Sequence, residues 1–140
     1  MYHHGRLASI CQLMSLYTDS LATLTRQFYG NTHKTDRIIR ARHLMDAQLG
    51  EPITLAQLAA IACCSPSHFC REFRRLYGLS PRAYLIRKRV ARARQLLAGR
   101  ESVLDVCLAV GYESISTFSG LIKKQTGRPP RAHKRARLKN

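Results

Sequence analysis

The chain has 140 residues, with 24 Lys or Arg against 8 Asp or Glu, and a formal charge of +16. Its 45% hydrophobic content excludes a disordered tail, and its length suits one compact domain or two very small ones. The charge predicts a polyanionic partner, nucleic acid ahead of an acidic membrane surface, and no apolar run approaches the roughly 18 residues of a membrane span.

The first predicted helix lies in residues 7–28. Its apolar residues step by three and four in a heptad seam, but charged flanks of the coiled-coil type are nearly absent. Two interpretations stay open: the helix forms a homodimer, or it packs against its own domain or a missing neighbour. The seam consists of Leu7, Ile10, Met14, Tyr17, Leu21, Leu24 and Phe28.

A polar linker is predicted at residues 31–35, and a second helix at residues 36–49. This helix has apolar residues along one side and arginines on the other, and Gly50 and Pro52 end it. Its apolar residues are Ile38, Ile39, Ala41, Leu44, Met45 and Leu49.

Residues 54–78 form the central pattern of the chain, two short helices joined by a tight break. Thr54 is placed to cap the first helix, and Pro66 lies in the first turn of the second, where proline is tolerated. Gly78 ends the second helix as a left-handed cap would. This layout, with a basic exposed face, is typical of a helix-turn-helix DNA reader. The predicted buried residues are Leu55, Leu58, Ala59 and Ala62, then Phe69 and Phe73.

A long basic helix is predicted over residues 81–98. At 1.5 Å per residue it spans about 25 Å, which suits a rigid spacer. Its predicted buried residues are Tyr84, Leu85, Val90, Ala91, Leu96 and Leu97, and its basic residues are Arg87, Lys88, Arg89, Arg92 and Arg94.

Residues 102–127 repeat the pattern of residues 54–78. Ser102 stands in the place of Thr54 and Gly127 in the place of Gly78, provided that the second turn has one extra residue. Such a repeat indicates that one supersecondary unit is present twice. The predicted fold is therefore all-α, with two helix-turn-helix subdomains joined by the long basic linker helix and preceded by an N-terminal amphipathic helix.

The second unit also contains the run VCLAVGYESISTFSGLIKKQTGRPP, with Gly111–Tyr112 in its turn and Phe118–Ser119 before the basic end of its second helix. Together with the two units and the basic linker helix, this run makes residues 36–137 resemble the AraC/XylS transcriptional regulators. The resemblance implies a seven-helix domain that places the second helix of each unit in successive major-groove segments of double-stranded DNA.

The resemblance has consequences for organisation and partners. It implies a DNA-binding domain at residues 34–140, bacterial transcription control and RNA polymerase as a further partner. Because the family normally has a separate ligand-sensing and dimerising domain, residues 1–33 are interpreted as a dimerising helix or as the remnant of a lost regulatory domain.

Carried over position by position, the resemblance implies base-edge contacts from the second helix of each unit. Arg71 is the leading candidate, because a guanidinium can donate two hydrogen bonds to guanine, and a phosphate contact is the alternative. Gly120 departs from the family, which commonly has an arginine there, so the second unit is expected to read sequence weakly and mainly hold the backbone. The implied base-reading residues are Ser67, Cys70 and Arg71, then Ser116, Thr117 and Ser119.

Basic residues at matching positions of the two units are predicted to contact DNA phosphates. Neutralising about 6 to 8 phosphates would make the affinity fall steeply with salt. The alternative for each residue is that its charge only solvates the surface. The residues are Arg74, Arg75, Arg82, Lys123, Lys124 and Arg131, whereas the aromatic residues Phe69, Phe73, Tyr112 and Phe118 are expected in the core.

The N-terminus lacks a signal peptide, so a cytoplasmic location, on the nucleoid, is expected. In that compartment the cysteines are expected to be reduced. No CxxC pair occurs, so no metal or cofactor is expected, and Cys70 and Cys107 are interpreted as small apolar fillers. Cys63 stands where the second unit has Gly111, so its backbone is expected to be strained if that glycine has a positive φ.

Two other functions compete with transcription control. A non-specific architectural nucleic-acid-binding protein is allowed by the charge alone, but coating DNA does not require repeated helix pairs. An enzyme is not expected, since the sequence has no nucleophile–base pair at a telling spacing and no phosphate-binding glycine loop.

Overall fold

The computed structural model of the protein describes residues 32–135. The chain divides into two compact segments, residues 1–37 and residues 38–140. In the N-terminal segment the described residues, 32–37, are helical. The helix predicted at residues 7–28 lies outside the described residues, and both helix-turn-helix units lie in the C-terminal segment.

The described residues form helices and no strand, which confirms the prediction of an all-α fold with two helix-turn-helix units and a long connecting helix. No helix in this part of the chain is long and apolar enough to cross a membrane. The helices are α1 (residues 32–47), α2 (Leu55–Ile61), α3 (Pro66–Tyr77), α4 (Pro81–Leu97), α5 (Val103–Ala109), α6 (Ile115–Thr126) and α7 (Pro130–Arg135).

The polar linker predicted at residues 31–35 is wrong over residues 32–35, which belong to α1. Thr32, His33 and Lys34 are exposed and polar, but none is Gly or Pro, so nothing in this stretch stops a helix. Polarity alone therefore does not indicate a loop.

Hydroxyl side chains begin the helices from α2 to α6. Each accepts a hydrogen bond from the backbone N–H three residues later, over 3.0–3.4 Å, and such a cap stabilises a helix by about 1 kcal/mol. At α5 the capping is reciprocal: the Ser102 hydroxyl accepts from the Asp105 N–H, and the Ser102 N–H donates to the Asp105 carboxylate. Hydrogen bonds from Ser102 hold the pKa of the Asp105 carboxyl below its ordinary value. The caps are Thr54, Ser65, Ser80, Ser102 and Ser114.

The two helix-turn-helix turns share one backbone motif. In the first, the N–H groups of Cys63 and Cys64 donate to the carbonyls of Ala60 and Ala59, and Cys63 has a φ of 52°. In the second, Gly111 has a φ of 86°, and it and the next residue make the equivalent bonds. Both are Schellman turns, in which the residue after the C-cap is left-handed; the C-caps are Ala62 and Val110. The predicted strain at Cys63 is confirmed.

Two hydrophobic cores lie along the domain, one per unit. Phe69 and Phe73 are fully buried in the first, and Phe118 and Ile122 in the second, which confirms that the phenylalanines are core residues. The remaining buried residues are Ile38, Ala41, Met45, Leu58, Ala59 and Ala62 in the first core, and Val90, Ala93, Leu97, Val106, Cys107 and Val110 in the second.

Two residues predicted to be buried are exposed. Ala91 is exposed and Ala93 is buried instead, because the spacing of Val90, Ala93 and Leu97 sets the stripe of α4 that faces the second core. Leu55 is 40% exposed, since it opens α2 beside a cleft between the units rather than over the first core.

We expect Cys63→Gly to raise the free energy of unfolding by about 1 kcal/mol, because glycine adopts a positive φ without the steric cost of a Cβ. Urea denaturation followed by circular dichroism measures the change. Cys63→Ser is the matched control, since it removes the thiol and keeps the Cβ. An equal gain in the serine variant would show that the thiol, and not the backbone, lowers the stability.

Candidate nucleic-acid interface

The outer face of α3 presents polar and basic side chains. Phe69 and Phe73 point into the first core, which turns Ser67 and Arg71 to solvent one helical turn apart. Cys70 is half-buried and lines the cleft between the units. Ser67 and Arg71 are therefore accessible to a DNA groove, whereas Cys70 is only partly accessible. These are the three residues with implied base contacts in this unit.

The outer face of α6 resembles that of α3 in being polar, but it lacks the arginine of α3. Ser116 and Thr117 are exposed, and Ser119 is half-buried like Cys70. Gly120 stands where α3 has Arg71, and an added Cβ there would meet no atom of residues 32–135 within 4 Å. The position is therefore open to solvent and to a larger side chain.

The cationic residues predicted at phosphates lie on the surface of both units. Each is exposed, and the two pairs in the last turns of α3 and α6 also oppose the negative ends of their helix dipoles. Arg75 donates to the half-buried Glu72 over 2.8 Å, but Arg75 itself is exposed, so solvent screens the pair and it is worth at most about 1 kcal/mol. The residues are Arg74, Arg75, Arg82, Lys123, Lys124 and Arg131.

A cleft of about 590 Å³ separates the two units. Cys70 of α3 and Thr117 of α6 both line it, together with Arg82 at the start of α4. The structure thus brings together one predicted reading residue from each unit and one predicted phosphate contact. Among the described residues that line this cleft there is no carboxylate.

The cysteines differ in environment. Cys107 is buried in the second core, donates to the carbonyl of Tyr112 over 3.4 Å, and burial raises the pKa of its thiol. It is the apolar filler that the sequence predicted. Within residues 32–135, no group of three or more His, Cys, Asp or Glu side chains is arranged to hold a metal ion.

Sequence reasoning missed the polar contacts that position α4. The Asp46 carboxylate on α1 accepts from the Tyr84 hydroxyl over 2.8 Å and pairs with Arg42 at 3.1 Å and Lys88 at 3.6 Å. Further along α4, Arg89 donates to backbone carbonyls of the loop after α1. The sequence offered no local signal for the contacts of Tyr84, Lys88 and Arg89, because their partners lie about 40 residues away in the chain.

Comparisons with known proteins match this geometry. A family model described as "Helix-turn-helix domain" matches residues 58–136. The DNA-binding domain of AdpA, solved in complex with a target DNA, superposes with a TM-score of 0.68 and 32% identity, covering 71% of this chain and 91% of that one. An AraC-type regulator from Chromobacterium violaceum gives a TM-score of 0.65 and 29% identity, covering 78% and 96%.

A longer relative matches beyond the helix-turn-helix units. The HTH-type transcriptional regulator YdiP of Escherichia coli strain K12 is 30% identical over 124 residues, which cover 88% of this chain and 41% of YdiP. The chain thus spans less than half the length of this curated relative.

Proposed function

We propose that this chain, which belongs to the AraC family of helix-turn-helix DNA-binding proteins, regulates transcription by inserting α3 and α6 into successive major-groove segments of one promoter. The observation that carries the proposal is the structural repeat. Each of the two helices buries a pair of large apolar residues and turns hydroxyl and basic side chains to solvent. One stiff helix, α4, connects them, so both can face one DNA duplex.

Base reading in the first unit is assigned to Ser67, Cys70 and Arg71. Arg71 is exposed and makes no hydrogen bond or ion pair within residues 32–135, so its guanidinium is available to guanine. Cys70 is the weaker reader because it is half-buried beside the cleft. In the second unit the readers are Ser116, Thr117 and Ser119, whose short hydroxyl side chains reach base edges only at close approach.

Affinity is assigned mainly to phosphate contacts by the six cationic residues described above. Arg75 is exposed and can exchange its bond to the half-buried Glu72 carboxylate for one to a phosphate. Neutralising about 6 to 8 phosphates releases as many counterions, so the binding constant falls steeply as salt rises. The alternative function, non-specific coating, predicts the same salt dependence without any sequence preference.

The remaining assignments extend beyond the described residues. We assign the DNA-binding domain to residues 34–140 and a cytoplasmic, nucleoid-bound location, with RNA polymerase as a further partner. For residues 7–28 two roles stay open: a homodimer contact, or packing against the chain's own domain or a missing neighbour. The expectation that the chain is not an enzyme stays a prediction.

The proposal is tested by selecting bound duplexes from a randomised pool at near-physiological salt and sequencing them. Two half-motifs about one helical turn apart are expected if both helices read bases. One motif flanked by unselected sequence would mean that α6 only anchors the backbone. No enrichment, together with binding that vanishes as salt rises, would contradict sequence-specific regulation.

We expect Arg71→Ala to lose discrimination between specific and random duplexes, by about 1–3 kcal/mol, because it removes a base contact. Lys123→Ala should weaken both duplexes about equally, since it removes a phosphate contact. Fluorescence anisotropy titrations measure both effects. Equal losses on the two duplexes for both variants would contradict the assigned roles.

Gly120→Arg should strengthen DNA binding, because it restores a long cationic side chain at the position that matches Arg71. Gly120→Ala is the matched control: it gains the helix propensity, about 1 kcal/mol, without the charge. Anisotropy titration and thermal melting of both variants separate the two effects. Equal affinities for the two variants would show that position 120 lies away from DNA.

A further inference from the structure

The two helix-turn-helix units touch at a tight junction, formed by the loop after α1 (residues 49–51) and the end of α5 with its turn (residues 109–111). A Cβ added to Gly50 would lie 2.6 Å from the carbonyl oxygen of Ala109. A Cβ added to Gly111 would lie 3.0 Å from the carbonyl oxygen of Gly50. Backbone meets backbone here at a distance that only glycine permits.

Arg89 of α4 holds both sides of this junction. Its Nε donates to the carbonyl of Leu49 over 2.8 Å, and its Nη2 donates to the carbonyl of Glu51 over 3.0 Å. Its guanidinium also stacks over the Tyr112 ring, 5.4 Å from the centroid. One side chain thus binds the loop of the first unit and the turn of the second.

The junction borders the cleft of about 590 Å³ between the two units, since Arg89 and Tyr112 also line it. Leu55 of the first unit and Leu121 of the second line this cleft. Side chains that line an open cleft do not fix the angle between the two units. The relative orientation of α3 and α6 therefore depends on α4 and on the junction that Arg89 holds.

We propose that Arg89 is a positioning residue that sets which half-site spacing this protein accepts, through its hold on the junction rather than through contact with DNA. The proposal rests on the proposed function, in which both α3 and α6 enter the major groove. Adding one base pair rotates the second half-site by about 34° and moves it by about 3.4 Å. A locked pair of helices accepts one spacing, whereas a loose pair accepts several.

Three variants of the full chain test this. Arg89→Met keeps an unbranched apolar stem and removes both hydrogen bonds. Gly50→Ala keeps every charge and pushes the junction apart sterically, so it carries the test if Arg89→Met does not fold. Arg87→Met is the matched control, because it removes the same charge from an exposed position of α4. Thermal melting establishes that each variant is folded.

The first measurement needs no DNA. Residual dipolar couplings of backbone N–H groups report the orientation of each unit in the free protein. One alignment tensor should fit both units in the wild type and in Arg87→Met, and two different tensors should be needed for Arg89→Met. A single unchanged tensor in both Arg89→Met and Gly50→Ala would overturn the proposal, whatever DNA binding shows.

The second measurement uses duplexes with the two selected half-motifs and spacers changed by one or two base pairs. The wild type and Arg87→Met should keep one preferred spacer. In Arg89→Met, the preference over the neighbouring spacers should fall about tenfold or more, because two hydrogen bonds to a charged group are lost. An unchanged spacer profile would overturn the proposal. If the wild type selects no pair of half-motifs, the two-helix function fails, and the dipolar couplings alone decide the role of Arg89.

Discussion

Both hydrophobic cores of the described domain depend on one helix, α4. Its N-terminal half packs Tyr84 and Leu85 against the first core, and its C-terminal half buries Val90, Ala93 and Leu97 in the second. A pair of helices of 7 and 12 residues buries little apolar surface by itself, so each unit needs its share of α4. The spacing of the two units is therefore a consequence of how each unit folds.

Charge is the second constraint on this molecule, because carboxylates are scarce. Asp46 takes part in two of the three ion pairs among the described residues and also accepts from Tyr84. These contacts lie where α1 meets α4. The cations on the outer faces of α3 and α6 gain little compensation and repel one another in the free protein. Binding a polyanion relieves that repulsion, so DNA should also stabilise the fold.

The sequence predicted the features that local chemistry decides. Serine and threonine caps, left-handed glycines and the spacing of Phe69 and Phe73 located the helices of both units, and the repeat located the second unit from the first. The sequence showed Arg89 only as one of the basic residues of the linker helix, because its role depends on carbonyls about 40 residues away in the chain. The exposure of Ala91 was missed because packing decides which side of α4 is buried. The helical start of α1 was missed because its polar residues were interpreted as a linker. The base and phosphate roles stay predictions, because they depend on a partner molecule.

The chemistry of the caps has a consequence for how this fold tolerates change. From α2 to α7, only α5 has an acidic residue in its first turn, Asp105, and the caps of α3 and α6 are neutral hydroxyls. A serine cap satisfies a backbone N–H without placing a negative charge at the helix start, which leaves the dipole's positive end unmasked. An aspartate at Ser65 or Ser114 would cap at least as well and repel a nearby phosphate. Selection for stability and selection for binding thus oppose each other at these two positions.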